Sequence, residues 1–406
     1  MALEIRPAAQ TEMTAFARVA QKSLTLPAEV APPEALAAIQ PDWTLCAFEN
    51  GELATTYAWW PLTMRFGKNA CPVAGITFVG THPVFRRKGH LRQIISRHFE
   101  QMHEQGAQPI AALHASRTAI YQRYGYAVVS WRNAYRFNPR DLVFVRGPAL
   151  SNHQYGLRDR DGDPKETLKG LYRRFCRDRT GYLHRSRGFW ENGVLAPPPR
   201  DGVLFQIVYE ENNEPLGYVI YTVQPVKGAR GRLMHKVMIR DLVWITPRAC
   251  RALWGHFASM DLAETIEWMD VPPDDPLPYL VSEPAALGVE IRDGFMARIV
   301  DVPGALARRQ YGAEGRICFE LEDPLCPWNR GIWQMEASGN GAVVSTSSRK
   351  PEIRMSVDTL AMLVFGHLAP SRAAKTGLLE VISPEVLPVW DQMMQMPFAP
   401  FCPDFF

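Results

Sequence analysis

Phe78-Val79-Gly80-Thr81-His82-Pro83-Val84-Phe85-Arg86-Arg87-Lys88-Gly89-His90-Leu91-Arg92 decides how this chain is read. Ile76 to Val79 is β-branched and aromatic, which predicts a strand. Pro83 has no N–H to give a ladder and ends it. Beyond the basic run and Gly89, the apolar residues Leu91, Ile94, Ile95, Phe99 and Met102 fall on one helical face. Strand, basic loop, glycine and helix start therefore follow in order. The first N–H groups of a helix lack intrahelical partners and sit at the positive end of its dipole. Such a spot suits an anion, most naturally a phosphate. Gly89 lets the backbone approach that anion closely, and Arg86, Arg87, Lys88 and Arg92 surround it with charge. Neither Gly-x-x-x-x-Gly-Lys-Ser/Thr nor Gly-x-Gly-x-x-Gly is present, which sets aside two common nucleotide loops.

Working outward, Leu3 to Arg6 alternates like a strand, and Thr11 to Lys22 reads as a helix with Thr11 as its cap. Pro27 to Pro33 is a loop. Trp43 to Phe48 and Leu53 to Pro61 are strands joined by a hairpin turn at Asn50-Gly51, a pair that tolerates positive φ at both centres. After the central helix come an apolar strand, Pro109 to His114, and a short helix from Ile120 that Gly125 stops. Ala127 to Ser130 is a strand. The order β-α-β-β-β-α-β-α-β predicts an α+β sheet with helices on both faces.

Pro139 to about Asp163 is a polar bridge, and a helix runs from Glu166. Gly202 to Tyr209 and Pro215 to Tyr221 form a second hairpin around Asn212-Asn213. Val243-Trp244-Ile245-Thr246-Pro247 then leads into a helix to Met260, as Val79-Gly80-Thr81-His82-Pro83 leads into the first. We read an internal repeat. Its second copy is degenerate, since Leu253 stands where the spacing from the proline would put Gly89. Asp270 to Pro278 is a linker. A third unit starts at Met296, with strands Arg316–Glu322, Ile332–Glu336, Ala342–Ser345 and Ile353–Val357. Asp358 caps a helix that Gly366 closes, and Ser383 to Met394 is the last helix. The final ten residues carry Phe398, Phe401, Phe405 and Phe406 between prolines.

A chain of 406 residues suits two or three domains. A formal charge of +3 is too slight to argue for nucleic acid or a membrane surface. No apolar run approaches the ~20 residues of a membrane helix, and Met1 to Pro7 has no signal-peptide core. The seven cysteines show no Cys-x-x-Cys and no Cys/His cluster, which argues against zinc and for a reducing, cytoplasmic compartment. His82, His90, His98, His103 and His114 read as structural or solvated, so no metal is expected. Asp274-Asp275 reads as a solvated loop.

Arg86-Arg87-Lys88-Gly89-His90-Leu91 resembles the coenzyme A signature Arg/Gln-x-x-Gly-x-Gly/Ala of the GNAT N-acetyltransferases. Leu91 replaces the small residue, as is usual in the Eis (enhanced intracellular survival) branch. Two acetyltransferase-like units and a third resembling a sterol-carrier-protein-like domain, with Val300 to Leu306 near its start, match that branch over the whole chain. The resemblance implies an acetyl-CoA-binding GNAT domain at 1–145, a degenerate GNAT domain at 146–290 and a sterol-carrier-like α/β domain at 291–406. It implies that Val79, Gly80, Thr81, Arg87, Lys88, Gly89, His90, Leu91, Arg92, Ser116 and Arg117 contact acetyl-CoA. Tyr121 would donate a proton and the terminal carboxylate of Phe406 would accept one. The implied assembly is a homohexamer. The implied acceptors are small polyamines or aminoglycosides, acetylated at one or several positions.

The chemistry asks for such groups independently. An amine attacking a thioester needs a base, dipoles for the developing oxyanion and an acid for the departing sulfur. A phenol can be that acid, and Tyr121, Tyr124 and Tyr126 are neighbours. Tyr124 and Tyr126 fit packing better, and the resemblance selects Tyr121. Two other readings remain open: an acetyltransferase of protein lysines, and an apolar-ligand binding protein whose acetyltransferase units are relics.

Overall fold

The computed structural model describes residues 3–24, 38–145, 157–159, 165–198, 202–228, 231–339 and 341–406. The expected loop from Pro27 to Pro33 and most of the bridge from Pro139 to Asp163 lie outside them. Two compact units divide the chain. One is Met1–Val129, Phe295–Met396 and Phe405–Phe406; the other is Ser130–Gly294 and Pro397–Asp404.

The first unit is built on strands β1 (Leu3–Arg6), β2 (Cys46–Glu49), β3 (Glu52–Phe66), β4 (Asn69–Thr81), β5 (Ile110–Leu113) and β6 (Ala127–Val128). They lie side by side in that order, with Met296–Ile299 inserted between β5 and β6. The strand at the start of the expected third unit is thus part of the first sheet. Asn50 and Gly51 have φ of +52° and +84°, so the β2–β3 hairpin turns as the sequence requires. Helices α1 (Met13–Leu24), α2 (His90–Gln105) and α3 (Thr118–Gln122) complete this layer. α1 is entered through a tight turn rather than through Thr11. The Glu12 carboxylate accepts the Ala9 N–H at 2.8 Å and Arg6 Nη1 at 2.7 Å, which takes over the capping role. Ile94, Ile95, Phe99 and Met102 of α2 are buried against Leu45, Tyr57, Ile76 and Tyr126. Each such side chain contributes roughly 1.5–3 kcal/mol.

A second sheet in this unit has the order Gly341–Thr346, Gly331–Ser338, Gly315–Glu322, Ile353–Ser356 and Leu379–Val381. The helix Val357–Phe365 follows it, with Ser356 rather than Asp358 at the N-cap and Gly366 closing it at φ +77°. Seven of its nine residues are buried, which its apolar sequence on every face requires. Phe365 meets Phe66 edge-on at 4.8 Å and Phe295 at 5.5 Å, joining this helix to the first sheet.

The second unit is a seven-stranded sheet in the order Glu290–Asp293, Trp131–Phe137, Ala263–Val271, Leu233–Trp244, Glu214–Lys227, Val203–Glu211 and Leu157–Asp159. Asn212 and Asn213 take positive φ at the predicted hairpin. The strand Leu233–Trp244 feeds the helix Pro247–Ala258 and runs parallel to Ala263–Val271. This repeats the strand–proline–helix order of β4 and α2. The expected linker differs: Asp270 and Val271 end a strand, and Leu277–Leu280 is helical. Asp275 is buried and accepts the Leu277 N–H at 3.0 Å and the Tyr135 hydroxyl at 3.1 Å. Asp274 lies 3.3 Å from Arg179 and accepts the Ala399 N–H at 3.2 Å. This pair is built into the fold and is not the solvated loop expected.

Candidate functional site

The site begins with an irregularity in β4. Its pairing with β3 runs Thr55↔Thr81 and Thr56↔Gly80, then resumes at Ala58↔Thr77, so Tyr57 stands opposite both Phe78 and Val79. This is a β-bulge, and Phe78 takes φ +48° within it. The Thr56 hydroxyl shares its proton between the carbonyls of Phe78 at 2.9 Å and Gly80 at 3.2 Å. These contacts hold the bend from one side.

β4 and β5 pair in parallel only at Val73↔Ile110, Ala74↔Ala111 and Gly75↔Ala112. β5 ends at Leu113 while β4 continues to Thr81. From Ile76 onward the β5-facing edge of β4 has no strand beside it among the described residues. An amide-bearing chain could lie along that edge as a further strand does.

Beyond Thr81 a turn at Pro83–Phe85 leads to the basic loop. Arg87 and Gly89 are left-handed, with φ +66° and +83°. Such alternation gathers successive N–H groups into an anion-binding concavity. Gly89 is the N-cap of α2, and it has no side chain with which to accept the first N–H groups of that helix. A Cβ on Gly89 would meet nothing within 4 Å, so the protein itself leaves this approach open.

The loop charges have different employment. Lys88 Nζ is 2.6 Å from Glu49 Oε1, and buried His90 places Nε2 at 3.2 Å from Glu49 Oε2. The Lys88 ammonium therefore lowers the pKa of the Glu49 carboxyl. His90 Nδ1 is also 3.3 Å from Thr55 Oγ1, itself 3.1 Å from Thr81 Oγ1. Lys88, His90 and Thr81 thus brace the loop through their side chains and can meet a ligand chiefly through their backbone. Arg87 and Arg92 are exposed, and Leu91 packs partly against the core. Glu49 went unnoticed in the sequence. Its only signal was an acid at the end of a hairpin strand, which any solvated turn also shows.

The repeat in the second unit is closed to an anion. Thr246 caps the helix Pro247–Ala258 by accepting the Ala249 N–H at 3.1 Å, and Pro247 at the first position has no N–H.

At the end of β5, Ser116 and Arg117 are exposed, and Arg117 precedes α3. α3 carries Tyr121 on a partly buried position. Tyr124 and Tyr126 are core residues, as expected, and Tyr121 packs against that core with its ring edge-on to Tyr126 at 5.9 Å. Burial pushes the Tyr121 phenol up to about 12, so it is protonated at any ordinary pH. The last two residues belong to this same unit. The Phe405 ring lies 4.4 Å from His114 and the Phe406 ring 5.0 Å from it. A Cβ on Gly75 would come within 2.8 Å of Phe406, so the absence of a side chain there admits the terminal ring. Phe406 therefore packs at the last β4–β5 pair, next to the opening. His114 was read as structural or solvated; only its contact with the terminus marks it as part of this region. Of the other histidines read that way, His98 is buried on the Tyr57 hydroxyl at 2.8 Å, and His103 is partly exposed and stacks on Trp328.

Family models describe residues 4–129 and 181–299 each as an acetyltransferase (GNAT) domain and residues 302–403 as a sterol carrier protein domain. An uncharacterised N-acetyltransferase of Streptomyces coelicolor is 30% identical over 308 residues, covering 75% of this chain and 74% of the relative. The N-acetyltransferase Eis of Mycobacterium tuberculosis is 28% identical over 320 residues, covering 77% and 75%. The crystal structure of Eis1 from Mycobacterium abscessus superposes with a TM-score of 0.82 at 27% identity, over 100% of both chains.

Proposed function

We propose that this chain, which belongs to the Eis family of GNAT N-acetyltransferases, moves the acetyl group of acetyl-CoA onto amines of a small polyamine or aminoglycoside-like acceptor. Acetyl-CoA is the co-substrate that a GNAT domain implies. The observation that carries the reading is the β4 edge that runs free beyond Gly75 and ends in the left-handed, uncapped loop at Arg87 and Gly89. The free edge suits the amide-rich arm of the coenzyme and the loop suits its pyrophosphate.

In this reading Val79, Gly80 and Thr81 line the arm, and the loop from Arg87 to Arg92 holds the phosphates. Ser116 and Arg117 meet the coenzyme from the end of β5. Backbone N–H at the bulge near Val79 polarises the thioester carbonyl. Tyr121 is the proton donor. With its pKa raised to about 12 it is a weaker acid than a thiol of ordinary pKa ~8.5. It therefore first gives a hydrogen bond to the departing sulfur, and net protonation draws on the proton the amine releases. The terminal carboxylate of Phe406 takes that proton from the amine and returns it, by way of the Tyr121 hydroxyl, to the sulfur once the C–S bond has broken, so that one proton moves overall. A homohexamer and a cytoplasmic location complete the proposal and rest on the family resemblance. Among the described residues no helix is long and apolar enough to cross a membrane.

Thiol release from acetyl-CoA, followed with a panel of polyamines, aminoglycosides and lysine peptides, tests the acceptor class. Turnover with the small amines is the expected result. Turnover with peptides alone would replace this reading by protein lysine acetylation.

A further inference from the structure

Arg298 and Asp323 form an ion pair whose side chains are both wholly out of solvent. Arg298 lies on Met296–Ile299, beside β5 and β6, and Asp323 directly follows the strand Gly315–Glu322. Both belong to the first unit. Arg298 Nη2 donates to the two Asp323 oxygens at 2.6 and 2.7 Å. The same carboxylate accepts the N–H groups of Leu325 and Cys326 at 3.1 and 3.0 Å and Asn329 Nδ2 at 2.9 Å. It is therefore a fixed anchor. Arg298 turns its other donors to backbone: Nη1 to the Ile299 carbonyl, and Nε to the Tyr124 carbonyl at 2.9 Å. Desolvation offsets much of the attraction in a buried pair, so stability alone is a weak reason for it.

Tyr124 sits in the turn that closes α3. Its N–H bonds the Tyr121 carbonyl at 2.9 Å, and the Tyr126 N–H reaches the same carbonyl at 3.4 Å. Gly125 between them is left-handed, and a Cβ there would stand 2.8 Å from Arg298 Nε and 2.9 Å from Val357 Cγ1. The turn thus rests directly on the guanidinium. α3 has five residues, far fewer than a helix needs to hold itself. The Tyr121 carbonyl is thus tied to this turn, and the turn's Tyr124 carbonyl to Arg298.

We infer that Arg298 and Asp323 are positioning residues for Tyr121. The sterol-carrier-like part of the chain supplies the anion that anchors the cation beneath the proton donor's turn. This rests on the reading of Tyr121 given above, so the test separates the two. Wild type, Asp323→Asn, Tyr121→Phe and the double variant are compared for kcat, for KM and for acetyl-CoA affinity by calorimetry. Asp323→Asn removes the charge at nearly constant shape. It lowers kcat by about 10²-fold, the scale of a small misplacement, and leaves acetyl-CoA affinity and KM unchanged. In the Tyr121→Phe background it costs no further activity, because residues that act as a unit are not additive. Equal losses in both backgrounds, or wild-type kcat for Asp323→Asn, overturn the inference while Tyr121 stands. Wild-type kcat for Tyr121→Phe overturns the Tyr121 reading and the inference with it. If Asp323→Asn does not fold by circular dichroism, Arg298→Lys, which keeps the charge but removes the Nε donor to the Tyr124 carbonyl, is carried through the same cycle, with the same outcomes deciding.

Discussion

Substituting Gly89 separates backbone from charge at the phosphate loop. Gly89 is left-handed at φ +83°, and a Cβ there meets nothing within 4 Å. Gly89→Ala therefore meets no steric clash and carries only the left-handed penalty, roughly 1–2 kcal/mol. The folded protein survives this, with a melting temperature lowered by a few degrees. Gly89→Glu adds the same backbone penalty and one negative charge facing the proposed pyrophosphate. Two unit charges about 4 Å apart interact by ~1 kcal/mol in water and ~4 kcal/mol at an effective dielectric of 20. The difference in acetyl-CoA binding between the Glu and Ala variants should fall in that interval, a loss of roughly 5- to 1,000-fold in affinity. Calorimetric titration of wild type, Gly89→Ala and Gly89→Glu with acetyl-CoA measures it directly. Repeating the titration at high salt should shrink the gap, because exposed charges are screened within ~10 Å at 0.1 M. A folded Gly89→Glu protein with the affinity of Gly89→Ala would refute the placement of phosphate at this loop.

Two glycines appended after Phe406 move the carboxylate by up to ~7 Å and keep both terminal rings. Acetyl-CoA binding should persist while turnover falls by ~10²–10⁴-fold; a tagged protein with full turnover would remove the carboxylate from the chemistry. Asp275 is raised by burial from 3.8 to about 7, so its contribution is present below pH 3.8 and is lost as pH rises through 7. Asp275→Asn should therefore raise the melting temperature at pH 8 and leave it unchanged near pH 3; destabilisation at pH 8 would show that the charged form is the one the fold favours. His98 is lowered by burial from 6.5 to about 3, so its contribution is complete above pH 6.5 and is lost as pH falls toward 3. Denaturant unfolding should lose about 1.4 kcal/mol per pH unit across that window from this group, and His98→Gln, if folded, should show a shallower slope; an unaltered slope would mean His98 does not drive it.

Much of the fold was legible because local rules agreed. Asn50-Gly51 and Asn212-Asn213 require positive φ, and both hairpins turn there. The α2 face could be counted from its period, and Pro83 and Gly89 bracket the loop as read. The failures were local too. Thr11 and Asp358 are ordinary cap residues, yet Glu12 makes the capping bond at one helix and Ser356 holds the N-cap position at the other without a side-chain cap bond. Several residue types cap a helix about equally well, so one-residue ambiguity is inherent. Trp131–Phe137 was not anticipated as a strand, because Arg132, Asn133 and Arg136 interrupt its apolar residues, leaving neither a strict alternation nor a continuous apolar run.

The amino-acid order by itself determined the strand–loop–helix grammar, the repeat and its missing glycine, and the family. Each depends on residues close in the chain, whose spacing the backbone periods constrain. Only the tertiary structure decided that β5 parts from β4 after Gly75, that Glu49 claims Lys88 and His90, and that His114 meets the terminal rings. It alone brought Arg298 onto the Tyr124 carbonyl, 174 residues away in sequence. Such partners have no period to betray them. Many arginines and carbonyls are chemically equivalent, and one pair is chosen only when closure of the whole core removes water from it and leaves no other partner in reach.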